Sequence, residues 1–196
     1  MATPLFGPDG ECIRTTGTTL IREIGAGASF MAIPGASLRG LAEFVDADIG
    51  SPFSTGNETP EIGDPDQPLQ LDAEHVDTIA AWYHVGAVVM DTVMSRFPAS
   101  AEPATAQLWP EHFDIGTSVG LAGGSRVNLG CSPGDSFVAE PYVYVGPWDA
   151  ARPGDPSYWN VSFGAALRSS EVMTSADPIR QGVDFMTRGL EALSGR

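Results

Sequence analysis

The apolar residues of this chain change period several times, and each change marks an expected element. From Cys12 to Ile24 the chain is rich in Thr and Ile, and a second apolar stretch covers Ser29 to Ile33. Gly25-Ala26-Gly27 lies between them, which predicts a β-hairpin. Ser37 is a good helix N-cap, and Leu38, Leu41, Phe44 and Val45 follow at spacings that place them on one stripe of a helix. Between Asp46 and Leu71 the period is lost among prolines, glycines and acids, so residues 46–71 read as a long acidic surface loop.

Asp72 then opens what should be the longest helix, from Ala73 to about Phe97, with Val76, Ile79, Ala80, Tyr83, Ala87, Met90, Val93, Met94 and Phe97 on its apolar face. Pro98 stops it. Beyond a connector rich in Pro and Ala, short strands are expected over 107–119, 125–129, 141–145 and 158–163, with Gly123-Gly124 turning between the first two. Asp177-Pro178 starts a final amphipathic helix that ends before Gly195. This order predicts an α+β fold. An antiparallel sheet or sandwich, built from the N-terminal hairpin and the C-terminal strands, would pack on the long central helix and the C-terminal helix. Residues 1–196 read as one domain, with residues 1–10, which hold Pro4, Gly7, Pro8 and Gly10, as a loose arm.

Composition narrows the function classes. Apolar residues make up 42% of the 196 and charged residues 18%, which suits a chain that buries roughly 70% of its surface on folding. The formal charge is −15, and every one of the ten basic residues is Arg. Such a chain repels phosphate backbones, so no nucleic-acid partner is expected, and an anionic membrane surface is disfavoured in the same way. No apolar run reaches the ~20 residues needed to cross a bilayer, and no signal peptide is evident, which predicts a cytoplasmic location. Cys12 and Cys131 are too few and too distant to frame a disulfide scaffold and are expected to be reduced thiols. His75 and His84 lie on different faces of the long helix, neither at metal-ligand spacing from another donor.

Candidate chemistry concentrates in residues 109–160. Trp109-Pro110-Glu111-His112-Phe113-Asp114 holds an imidazole between two acids. If the segment is extended, His112 and Asp114 share a face and offer a ligand pair or a proton-transfer pair. Ser132-Pro133-Gly134-Asp135 has the composition of a type II turn, and Asp135 could add a carboxylate. In Glu140-Pro141-Tyr142-Val143-Tyr144-Val145, alternation places Glu140, Tyr142 and Tyr144 together. His112, Asp114 and Glu140 are therefore the catalytic candidates. Trp109, Tyr142, Tyr144, Trp148, Trp159 and Asn160 are candidates for a ligand-binding wall. A metal held by His112, Asp114, Asp135 and Glu140 would be a hard divalent cation such as Mg, Mn or Ca, because the donors are mostly oxygen.

The strings Trp-Pro-Glu-His-Phe-Asp, Ser-Pro-Gly-Asp, Glu-Pro-Tyr-x-Tyr-Val-Gly-Pro-Trp and Trp-Asn-x-x-Phe-Gly-Ala resemble those of a group of uncharacterised proteins from high-GC bacteria. The resemblance spans roughly the second half of the chain and carries no activity and no site residues with it. Two function classes stand at this point. One is a protein that binds or acts on a small molecule through a polar and aromatic pocket in residues 109–160. The other is a non-catalytic interaction module, which would leave His112 and Glu140 apart. The sequence leaves the oligomeric state, the ligand and any cofactor open.

Overall fold

A computed structural model describes residues 2–50 and 61–195. The class is α+β, with two antiparallel sheets of three and five strands accompanied by helices. Contacts group the chain into two compact units, residues 1–80 and 81–196.

In the first unit, strands β1 (Cys12–Thr16), β2 (Thr19–Ile24) and β3 (Gly27–Ala32) form a meander of their own, separate from the C-terminal strands. Ile21 is buried at its centre, cross-paired to Arg14 and Phe30. The N-terminal residues lie along β1, with Thr3 N donating to Ile13 O at 2.8 Å and Ala2 bridging Arg14. Helix α1 (Leu38–Phe44) starts as its sequence implies, since Ser37 Oγ accepts from Gly40 N at 3.1 Å. Of the acidic loop, residues 51–60 lie outside the described residues, and Asp66 forms a bidentate pair with Arg39.

Helix α2 (Ala73–Met94) runs through the boundary at residue 80 into the second unit. There, β4 (Gln107–Trp109), β5 (Asp114–Gly120), β6 (Arg126–Ser132), β7 (Tyr142–Pro147) and β8 (Ala165–Arg168) pair in sequence order as one antiparallel meander. One face of this sheet is apolar, because Val119, Val127, Leu129, Cys131, Val143 and Val145 alternate with residues of the other face. α2 lies against it at Gly86, where an added Cβ would sit 2.4 Å from Cys131 Cβ and Sγ. That clearance lets Trp82 Nε1 donate to Ser132 O at 2.7 Å. After the short helix α3 (Ser169–Val172), helix α4 (Pro178–Leu193) packs on the same layer, with Gly182 against Val89 and Gly189 against Val145.

The buried stripe of α2 in this unit comprises Trp82, Tyr83, Gly86, Val89, Met90 and Val93. Tyr83, Met90 and Val93 belong to the expected stripe, whereas Ile79 and Val76 are half-buried and Ala87 is exposed. The stripe is rotated because the closest approach to the sheet is made through glycine, which a reading of hydrophobic residues passes over. Among the described residues, no helix is long and apolar enough to cross a membrane. Cys12 and Cys131 are both buried free thiols.

Candidate functional site

The segment expected as one strand over 107–119 is two strands joined by a tight turn. Trp109 pairs directly with Asp114, so Pro110 to Phe113 form the loop and Phe113 takes a positive φ of 52°. His112 and Asp114 therefore do not alternate along one strand face. His112 sits in the turn, half-exposed, with Nε2 3.9 Å from Glu111 Oε1. Asp114 opens β5 and is 7% exposed.

Register builds the site on the sheet face opposite the helices. Gly116, Gly130 and Tyr144 lie in one row across β5, β6 and β7, and Tyr142 precedes Tyr144 on the same face. The Tyr144 ring crosses over Gly130, where an added Cβ would lie 2.2 Å from its Cζ. It reaches on to Gly116, and its hydroxyl donates to Asp114 Oδ2 at 2.5 Å. Trp109, 44% exposed, closes the same corner: a Cβ on Gly116 would lie 2.9 Å from Tyr144 Oη and 3.3 Å from Trp109 Nε1. Two glycines in one row thus make room for a phenol and an indole.

Asp114 Oδ1 is buried and has no hydrogen-bond partner among the described residues. Burial raises the Asp114 carboxyl above its ordinary range, opposed in part by the Tyr144 hydrogen bond and by His112. The Tyr144 phenol is itself pushed up, first by burial and then by the neighbouring Asp114 charge. Burial also raises the Cys131 thiol, on the helix-covered face. Buried polar atoms are ordinarily paired, so the bare Oδ1 is an exception that needs a physical reason.

The other candidates have closed hydrogen-bonding arrangements. Asp135 accepts from Phe137 N and Val138 N at 2.8 and 2.9 Å through Oδ1, and from Tyr142 Oη at 2.6 Å through Oδ2. It therefore fixes the loop that brings Val138 onto Tyr142, while Gly134 supplies the positive φ expected of its turn. Glu140 precedes β7 and serves the start of α3, accepting from Ser170 N at 3.1 Å and Ser169 Oγ at 3.4 Å, with Arg168 Nη1 at 3.5 Å. Those hydrogen bonds from Ser170 hold its carboxyl below the usual range. Among the described residues its partners are Ser169, Ser170 and Arg168, so Glu140 does not join His112 and Asp114 in one cluster.

Trp148 is 64% exposed, its Nε1 donating to Asn128 Oδ1 at 2.7 Å. Trp159 Nε1 donates to Pro153 O at 2.8 Å and its ring stands edge-on to Tyr158. Residues 158–163 are not a strand: Asn160 instead exchanges two hydrogen bonds of 2.9 Å with the Ala166 backbone, which secures the entry to β8. Neither Trp159 nor Asn160 joins the Asp114 corner. Among the described residues no group of three or more His, Cys, Asp or Glu is placed to hold a metal ion. A cavity of about 580 Å³, lined by Glu102, Gly120, Ser125 and Arg126 among others, lies at the opposite end of β5 from Asp114.

Of the residues that form the corner, Gly116 and Gly130 were not anticipated as functional. Their signal is a glycine in strands of otherwise β-branched and polar residues, which marks a close approach by another group. No protein-family model matches the chain, and neither a curated protein nor a solved structure matches it.

Proposed function

We propose that the chain binds a small polar organic molecule at the corner formed by Trp109, Asp114, Gly116 and Tyr144. The observation that carries this reading is the bare Oδ1 of a carboxylate 7% exposed. A buried acceptor without a donor costs about 1–3 kcal/mol, and more when charged. A ligand donor would remove that cost on binding. Trp109 Nε1, which donates to no group among the described residues, supplies a complementary donor across Gly116. The exposed indole gives the molecule an apolar wall. The net charge of −15 supports excluding nucleic acid from the partners, as does the engagement of every described arginine with acids, hydroxyls or backbone.

The test is a fragment screen read from the backbone amide and indole N–H signals of the labelled protein. Binders should move Trp109 Nε1–H and the Gly116 amide together, and Gly116→Ala, whose methyl would lie 2.9 Å from Tyr144 Oη and 3.3 Å from Trp109 Nε1 and so displace both from the corner, should remove the indole response. A screen whose binders all leave both signals unmoved would refute the reading. A second reading, protein docking without catalysis, is favoured by the exposure of Phe137 at 60% and Trp148 at 64%. It predicts that responses centre on those two residues instead.

A further inference from the structure

We infer that the ligand of this corner is an organic ammonium ion, whose N–H groups complete Asp114 Oδ1 while its carbon stem lies along Trp109. The inference rests on the binding reading above and adds the ligand's charge to it.

The Asp114 carboxylate lacks a direct countercharge among the described residues. Buried carboxylates are ordinarily paired with a cation or fully hydrogen-bonded. Among the described residues Asp114 has no cation in hydrogen-bonding contact, Tyr144 satisfying Oδ2 and Oδ1 staying bare. The chain has no lysine, and no described arginine reaches this carboxylate: Arg126 is turned to Glu102 and Ser118, and Arg168 to Glu140. The titratable groups that bear on Asp114 are Tyr144, His112, Asp135, Tyr83, Tyr142 and Cys131. Of these only His112 can carry positive charge, and it stands in the turn beside Glu111.

An ammonium offers three donors and a full charge, and a charge-assisted hydrogen bond is about twice as strong as a neutral one. The Trp109 ring beside it attracts a cation through its π face. A chain of charge −15 raises the local concentration of cations and speeds their approach. A neutral alcohol would satisfy Oδ1 as a donor but would leave the buried charge uncompensated.

The experiment uses the whole chain with two probes of equal size, ethanolamine and ethylene glycol, titrated at neutral pH and read at Trp109 Nε1–H and the Gly116 amide. Ethanolamine should bind roughly tenfold or more tightly than the glycol, and Asp114→Asn should remove most of that difference. Asn keeps an acceptor for Tyr144, so the fold is expected to persist. If that variant fails to fold, choline titrated against the parent serves instead. Its quaternary nitrogen has no N–H to give Oδ1, so it should bind far more weakly than ethanolamine, and equal binding of the two would overturn the inference. Equal binding of both probes at the corner, or an ethanolamine response unchanged in Asp114→Asn, would refute the ammonium assignment while leaving the binding reading standing. If neither probe moves the two signals, the ammonium assignment falls. The binding reading then falls with it only when the wider fragment screen is also silent there.

Discussion

Replacing Gly130 by alanine should damage the protein far more than its position in a strand suggests. In a strand interior, Gly→Ala ordinarily gains about 0.5–1 kcal/mol by reducing backbone entropy in the unfolded chain. Here the added methyl would lie 2.2 Å from Tyr144 Cζ and 2.3 Å from its Oη, distances no real contact shows. Gly130 is flanked by β5 and β7 in register, so its backbone cannot retreat, and the ring has to leave. Overpacking of this kind costs about 1–3 kcal/mol. Moving the ring also breaks its hydrogen bond to Asp114, which leaves both carboxylate oxygens bare and adds about 1.5–3 kcal/mol. The two terms overlap, so about 2–5 kcal/mol is expected, against a total of about 5–15 kcal/mol for a folded domain. Urea unfolding at neutral pH measures it, with Tyr144→Phe as the reference that removes the hydroxyl and keeps the ring. Gly130→Ala should be the worse of the two. A variant as stable as the parent would show that Tyr144 does not lie over Gly130, and the geometry of the corner would have to be abandoned.

Other outcomes follow from the same structure. Met90, 1% exposed on the stripe of α2, should lose about 2–5 kcal/mol on truncation to alanine, whereas Ile79→Ala should lose less because Ile79 is half-buried; equal losses in urea unfolding would place the stripe elsewhere. Glu140 has a lowered carboxyl pKa, so its contribution is present above the ordinary carboxylate range and is lost as pH falls through its folded value. Thermal melts of Glu140→Gln should accordingly lie below the parent at neutral pH and converge with it in acid, and a gap that is constant with pH would refute the role at the start of α3.

The class and most of the elements were legible because they rest on local signals. Ser37 caps α1, Asp177-Pro178 starts α4, and the helix begun after Asp72 spans Ala73–Met94. The strand apolar face was readable from alternation through Val143 and Val145. What failed had non-local causes. Residues 107–119 carry no Gly or Asn-Gly turn signal at Pro110 to Phe113, and the reversal depends on Phe113 accepting a positive φ while its carbonyl receives the Tyr83 hydroxyl. Residues 158–163 have strand composition, yet Asn160 uses its side-chain amide where a strand would use backbone. At the site, Asp114, Tyr144 and Trp109 were identifiable by residue type. Their meeting was not, since it depends on Gly116 and Gly130 and on a register that only the folded sheet fixes.

The central claim is that Asp114 is a buried carboxylate kept without a full set of partners for the benefit of a ligand rather than of the fold. Comparing the unliganded parent with Asp114→Asn across pH tests this most directly. Because the folded carboxyl is raised, its favourable form is the protonated one. The parent's stability relative to the variant should be unaffected below the unfolded value of about 3.9 and should fall as pH rises from there through the higher folded value. Asn does not titrate and still accepts from Tyr144, so at neutral pH the variant should be as stable as the parent or more so, with the gap closing in acid. Were Asp114 instead a paired structural charge, removing it would cost about 3–5 kcal/mol at neutral pH. A variant destabilised by that amount, with the loss diminishing as pH falls, would contradict the account.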